Sequence, residues 1–382
     1  MIAFFTYDLL PGRERLMPWR TIIEVCKVFQ NVYNRDVTIY SLDSSSKTSI
    51  RTFQTINIHS VDRACYMSND FFTTEKITDI FFPVVWRSSA KSIKPLALFN
   101  GNKIAYFPGG VYPKTQALNA LKHISLEIAK PYLAEAFIPK RRVVSLLKKT
   151  GFDTVIALSD LTRDYIIKGR FPKKNVVFIP PGKDLLPEVK SNVSLSINSK
   201  TFCKDGYFFF MGAPAKIRGL KLLLKSFDKA CQKSKNLKLL CFLRTDPGSD
   251  NSYINKIVEK LHYKSNIEII WQEVSRETLF NFVVNARAVI LPFVLIPSEI
   301  PLTYFEVLSL GTTIISTSNG GTTEYLNDAI FVSERNEKSL SQMILKVSKE
   351  DLLVNNKKIN AKLKMQNHLT WDEVGEKWLS LL

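Results

Sequence analysis

Apolar and polar residues alternate along this chain in short blocks that switch between two periods. Runs dense in β-branched and aromatic residues, such as residues 2–6 and 37–42, are followed by stretches with a helical repeat, such as 18–33 with Ile22, Ile23, Val25 and Phe29 on one face. In the first half the pattern predicts further strands over 79–86, 103–107 and 155–158. It also predicts helices over 88–99 and from Ser159, and one of undefined extent before residue 155. Residues 184–201 are rich in Ser, Asn, Pro and Lys, lack a period and read as a linker. Beyond them strands are expected from Tyr207 and over 238–243, 267–271, 288–292, 312–316 and 330–332, with a last helix over 371–382. Strands alternating with helices in this way define an α/β chain with parallel sheets.

Two segments concentrate the chemistry. LPFVLIPSEIPLTYFEVLSLGTTIISTSNGGTTE (291–324) reads as strand, polar loop, short helix, strand and Gly-Gly loop. Pro301 suits a helix start, where its missing N–H costs nothing. That places Leu302 and Thr303 in the first turn and Glu306 one turn in, with Glu299 just before. Helix-start N–H groups beside carboxylates suit a ligand that carries phosphates and hydroxyls. YFFFMGAPAKIRGLKLLLKSF (207–227) is a strand, a glycine turn at Gly212, a basic loop with Lys216 and Arg218, and an amphipathic helix. Glycine lets backbone approach a ligand, and Arg218 offers a fork to diphosphate oxygens.

With VIALSDLTRDYI (155–166), VVFIPPGKD (176–184) and LTWDEVGEKWLSLL (369–382), these segments fall in an order that resembles the retaining nucleotide-sugar glycosyltransferases of family 4, from about residue 150 onward. The resemblance implies two Rossmann-like domains facing each other across a cleft, the GT-B fold, with a C-terminal helix crossing back. The expected parts are an acceptor-side domain over 1–185, a nucleotide-sugar domain over 200–368 and the returning helix over 369–382. It further implies a metal-independent hexosyltransferase without a cofactor, using a UDP or GDP sugar and a glycan or lipid-linked acceptor. Arg218 and Glu299 take the catalytic positions. Gly212, Lys216, Leu302, Thr303 and Glu306 join them around the donor, with Glu306 on the ribose hydroxyls.

The chain departs from the pattern in three places. Ala213 stands where an Arg is usual, and Lys216 is the candidate replacement. Six residues, not seven, separate Glu299 from Glu306, so either Ser298 or Glu299 fills the first position. The loop expected to carry a first-domain His is PGGVY, with Gly109, Gly110 and Tyr112 instead. His123 is a weak substitute on a predicted helix, and the opening loop with Gly12, Arg13, Arg15 and Arg20 is a second candidate for phosphates. A non-catalytic relative that binds or scaffolds a partner is the alternative reading.

Composition narrows the classes. With 382 residues the chain holds two ordinary domains, and 45% hydrophobic content argues for packed cores. No apolar run reaches 18 residues, and the start MIAFFTYDLL lacks a basic n-region, so a cytoplasmic protein is expected. Five scattered cysteines and four histidines suggest neither disulfides nor a metal centre. The net charge of +18 is lopsided: residues 1–190 carry 28 Lys+Arg against 16 Asp+Glu. The densest patch, FIPKRRVVSLLKKTGF (137–152), has the pattern of an amphipathic helix that lies on an anionic membrane surface. No zinc-finger spacing, RNA-binding signature or basic arm accompanies the charge, so nucleic acid is not the expected partner.

Overall fold

The computed structural model describes all residues except 43–47, 69, 110, 188, 190–193, 245–251, 272–273 and 297–299. The first half builds an eight-stranded sheet from β1 (Ile2–Tyr7), β2 (Val37–Leu42), β3 (Ser49–Phe53), β4 (Ile56–Val61), β5 (Asp79–Pro83), β6 (Asn102–Tyr106), β7 (Thr154–Ala157) and β8 (Val176–Phe178). Their order is β3-β4-β2-β1-β5-β6-β7-β8, parallel except for the β3–β4 hairpin. A small antiparallel pair, β9 (Leu195–Ile197) and β10 (Lys200–Phe202), precedes the second sheet. That sheet contains β11 (Phe208–Gly212), β12 (Leu239–Leu243), β13 (Ile267–Ile270), β14 (Ala288–Leu291), β15 (Ile314–Thr317) and β16 (Ile330–Ser333). It is fully parallel, in the order β13-β12-β11-β14-β15-β16.

Central strands such as β11, β12 and β14 are apolar throughout because helices cover both faces, so neither face can be polar. In the second sheet the strand order reverses between β11 and β14, which opens a crevice at their carboxyl ends where such sheets bind ligands. The last helix, Trp371–Leu379, leaves the second half and packs on helix Trp19–Asn31. Trp378 is fully buried there against Phe4, Phe81 and Tyr106.

The structure corrects several expectations. The apolar run at 79–86 ends as a strand at Pro83, and a helix begins at Trp86. The segment 176–184, which carries no predicted element, opens with the short strand Val176–Phe178. The stretch read as linker ends in the β9–β10 hairpin. Hairpin β3–β4 was not anticipated, since β3 is a largely exposed edge strand with no apolar alternation. Three helices, not one, fill 114–149: Lys114–Ala120, Leu126–Phe137 and Lys140–Lys149. The last of these carries the basic patch. Its apolar side chains Val143, Val144 and Leu147 are buried in the protein's own core, so only the basic face is left for a partner. No helix among the described residues is long and apolar enough to cross a membrane.

Candidate active site

The site is built around glycines that permit close approach. Gly212 ends β11 at φ +118°, and a Cβ placed on it would sit 2.7 Å from the guanidinium carbon of Arg218. Gly219 (φ +78°) lies so near β14 that a Cβ would come within 1.9 Å of the Pro292 carbonyl oxygen. The backbone is zipped at the same place, with Val294 N–H donating to the Ile217 carbonyl at 2.7 Å. Any side chain at Gly219 would pry this loop from the sheet. Arg218 is thereby held over the Phe293 ring, 5.2 Å from its centroid.

Across the crevice lies helix Leu302–Ser309, entered through Pro301. Tyr304 N–H donates to the Pro301 carbonyl at 3.0 Å, while the N–H groups of Leu302 and Thr303 stand ahead of any helical acceptor. Thr303 and Glu306 project into a cleft of about 290 Å³ that Gly212, Arg218, Arg244 and Leu279 also line. Thus Gly212, Arg218, Thr303 and Glu306, distant in sequence, share one pocket.

Charges order its rim. Arg20, from the first half, donates to both oxygens of Asp184, at 2.7 and 2.6 Å. Arg276 donates to the same carboxylate at 2.7 Å and reaches Glu306 at 3.5 Å, while Trp371 Nε1 donates to Asp184 at 2.9 Å. Arg20 lies 3.9 Å from Glu306. Burial pushes both carboxyls up, with opposite outcomes. For Asp184 the charge of Arg20 and hydrogen bonds from Trp371, Arg20 and Arg276 prevail, and it sits below its ordinary range. For Glu306 burial prevails over Arg276 and Arg20, so its carboxyl is raised. Glu306 is therefore the less satisfied of the two, ready to take hydroxyl donors.

The remaining predicted residues divide. Leu302 is buried in the second core, leaving only its backbone for a ligand. Lys216 turns away from the cleft, its Nζ over Tyr253 at 5.8 Å. Arg244 lines the cleft next to Gly212 and supplies a cation there. In the opening loop Arg13 is tied to the Asp8 carbonyl and stacked on Trp19, while Gly12 and Arg15 are exposed. Tyr112 reaches the second half, donating to the Ile296 carbonyl at 2.5 Å, and Gly109 lies just upstream on the same loop. Glu299, Ser298 and Gly110 lie outside the described residues. His123 is not directed at the cleft; its Nε2 meets the Arg335 carbonyl at 2.9 Å. Asp184, Arg276, Arg244 and Trp371 were not singled out from the sequence as site residues. Their only sequence signal is charge or aromaticity, and contacts spanning 92 and 187 positions bring Arg276 and Trp371 to Asp184.

Residues 196–364 match the model of one protein family, the glycosyl transferases group 1. Among solved structures the chain is similar to a glycosyltransferase from Rickettsia africae ESF-5, with 16% identity over 100% of this chain and 97% of that one, at a TM-score of 0.67. It is also similar to Anabaena Alr3699/HepE in complex with UDP and glucose, with 11% identity over 99% and 98% of the chains, at 0.65. A third is the sucrose-phosphate synthase from Thermosynechococcus elongatus, with 13% identity over 100% and 97%, at 0.65. No curated protein matches the chain. The chain has the GT-B fold expected from its segment order. The family match and this fold support a sugar-transfer reaction.

Proposed function

We propose that this protein is a retaining, metal-independent hexosyltransferase that moves a sugar from UDP or GDP to a glycan or lipid-linked acceptor, in the assembly of a surface polysaccharide or glycolipid at the cytosolic face of a membrane. The observation that carries this is the convergence of Arg218, Thr303 and Glu306 on Gly212 at the strand-order reversal. Arg218 forks onto the diphosphate, with Arg244 as the second cation in place of the Arg that Ala213 displaces. The helix-start N–H groups at Leu302 and Thr303 hold the distal phosphate as charge develops on it. Glu306 accepts hydrogen bonds from the ribose hydroxyls, and Glu299 faces the transferred sugar. In the reaction the bond from the anomeric carbon to the diphosphate breaks. The acceptor oxygen bonds to that carbon on the same face, and its proton passes to the released diphosphate. HepE, solved with UDP and glucose, favours UDP as the first nucleotide to try.

Thermal unfolding with UDP, GDP, ADP and CMP tests the reading. A specific ligand at a hundredfold its Kd adds about 2.7 kcal/mol, enough to raise the midpoint by several degrees. Glu306→Ala should weaken that nucleotide roughly thirtyfold, equivalent to about 2 kcal/mol for a lost charge-assisted contact. The anomeric configuration of the product, read by NMR, must match that of the donor. One observation favours the alternative of a non-catalytic binding protein: Glu306 already faces Arg276 and Arg20. Transfer or donor hydrolysis that is lost in Glu306→Ala would exclude that alternative.

A further inference from the structure

The first half holds a second, larger pocket of about 520 Å³, in the size range of small-ligand sites. It lies between the loop at Val111–Lys114, the end of helix Leu126–Phe137, the start of helix Lys140–Lys149 and helix Asp160–Lys168. Much of its lining is apolar: Tyr112, Ile138, Leu161 and Tyr165, with Phe137 half exposed at its edge. Its rim is cationic. Lys114 holds its ammonium 5.2 Å over the Phe137 ring, and Lys140 holds its own 5.4 Å over Tyr165. Lys168 pairs at 3.5 Å with Asp164, the single carboxylate among the lining residues. Two walls of this pocket touch the second half. Tyr112 donates to the Ile296 carbonyl, and Leu161 lies against Gly320. The pocket therefore lies at the boundary between the two halves.

We infer that the pocket seats the acceptor of the proposed transfer, and that this acceptor is an amphiphile with one apolar chain and an anionic phosphate head. The inference rests on the transferase reading and adds the class of acceptor. An apolar lining gains from burying a chain, because methylenes leave water. Ammonium groups parked over ring faces stay solvated while flanking that lining, ready for a phosphate. A free glycan would need amide and carboxylate partners for its hydroxyls, and the rim supplies mostly lysines.

The test is calorimetric titration of the full chain with octyl phosphate, 1-octanol and inorganic phosphate, alongside the UDP thermal shift. Octyl phosphate should bind at one site, with octanol and phosphate each at least tenfold weaker. Lys114→Glu with Lys140→Glu, both on exposed side chains, and separately Phe137→Ser, should each weaken it at least tenfold without altering the UDP shift. Equal binding of phosphate or octanol, or indifference to these substitutions, overturns the inference. A UDP shift without octyl phosphate binding overturns the pocket alone. Octyl phosphate binding without any nucleotide shift supports an amphiphile pocket but overturns its role as acceptor site along with the transferase reading.

Discussion

On one side of the cleft the two halves meet through charge, with Arg20 and Arg276 converging on Asp184, and with His368 wedged between Phe305, Tyr325 and the Pro181 carbonyl. On the other side they meet through amides, carbonyls and small apolar side chains. There Gln116 donates to Asn319 at 3.2 Å, its carbonyl accepts from Arg335 at 3.4 Å, and Ala120, Ile124 and Ala129 pack on Val294 and Leu295. The charged contact is concentrated and sensitive to loss of one partner, because a buried ion left alone keeps its desolvation cost. The neutral contact is spread over many weak pieces. Glu306 belongs to the charged side, so donor binding and inter-domain contact draw on the same arginines.

The largest effect is expected for Asp184→Ala, which takes the shared acceptor from Arg20, Arg276 and Trp371 and leaves the two arginines Glu306 at 3.9 and 3.5 Å. It should cost about 3–4 kcal/mol in urea unfolding through the lost charge-assisted hydrogen bonds, whereas a loss below 1 kcal/mol would mean that the charged side is not the stronger contact. Acid comes next. Burial, opposed by the Pro181 carbonyl, holds His368 down to about 4. Between its unfolded value of about 6.5 and 4 the unfolded chain binds a proton that the native state refuses. Stability should therefore fall as pH drops through this window, by about 3 kcal/mol in all, and His368→Gln should flatten the slope. Asp184, held low, adds loss only below its unfolded value of about 3.9. The smallest effect belongs to the neutral side. Gln116→Ala removes one amide hydrogen bond and should cost about 1 kcal/mol, insensitive to pH from 4 to 8.

The same contrast explains what could be read from the chain. Strands β11, β12, β14 and β15 are legible because both faces are buried and the run is unbroken. Gly212, Arg218 and Glu306 are legible as chemistry because local spacing ties each to a strand end or a helix start. Edge strand β3, with Ile50 at 70% exposure, has no burial to imprint a pattern. Residues 83–86 were misassigned because an apolar run with a proline fits either a strand or a helix entry. Asp184 looked like the first residue of a linker. Its role exists only once Arg20, Arg276 and Trp371 arrive from three other parts of the chain.

The passage from one half to the other is made twice, and the two passages lie side by side. Lys183 forms a parallel bridge with Thr370, its N–H donating to the Leu369 carbonyl at 2.9 Å. Thr370 in turn caps the last helix in a reciprocal box with Glu373. A single tether would act as a swivel, free to turn about three axes. Two tethers stitched together act as a door's pin, leaving one easy rotation, about the line that runs along them. Turning the halves about any other line would have to break the Lys183–Thr370 bridge or the bond to Leu369.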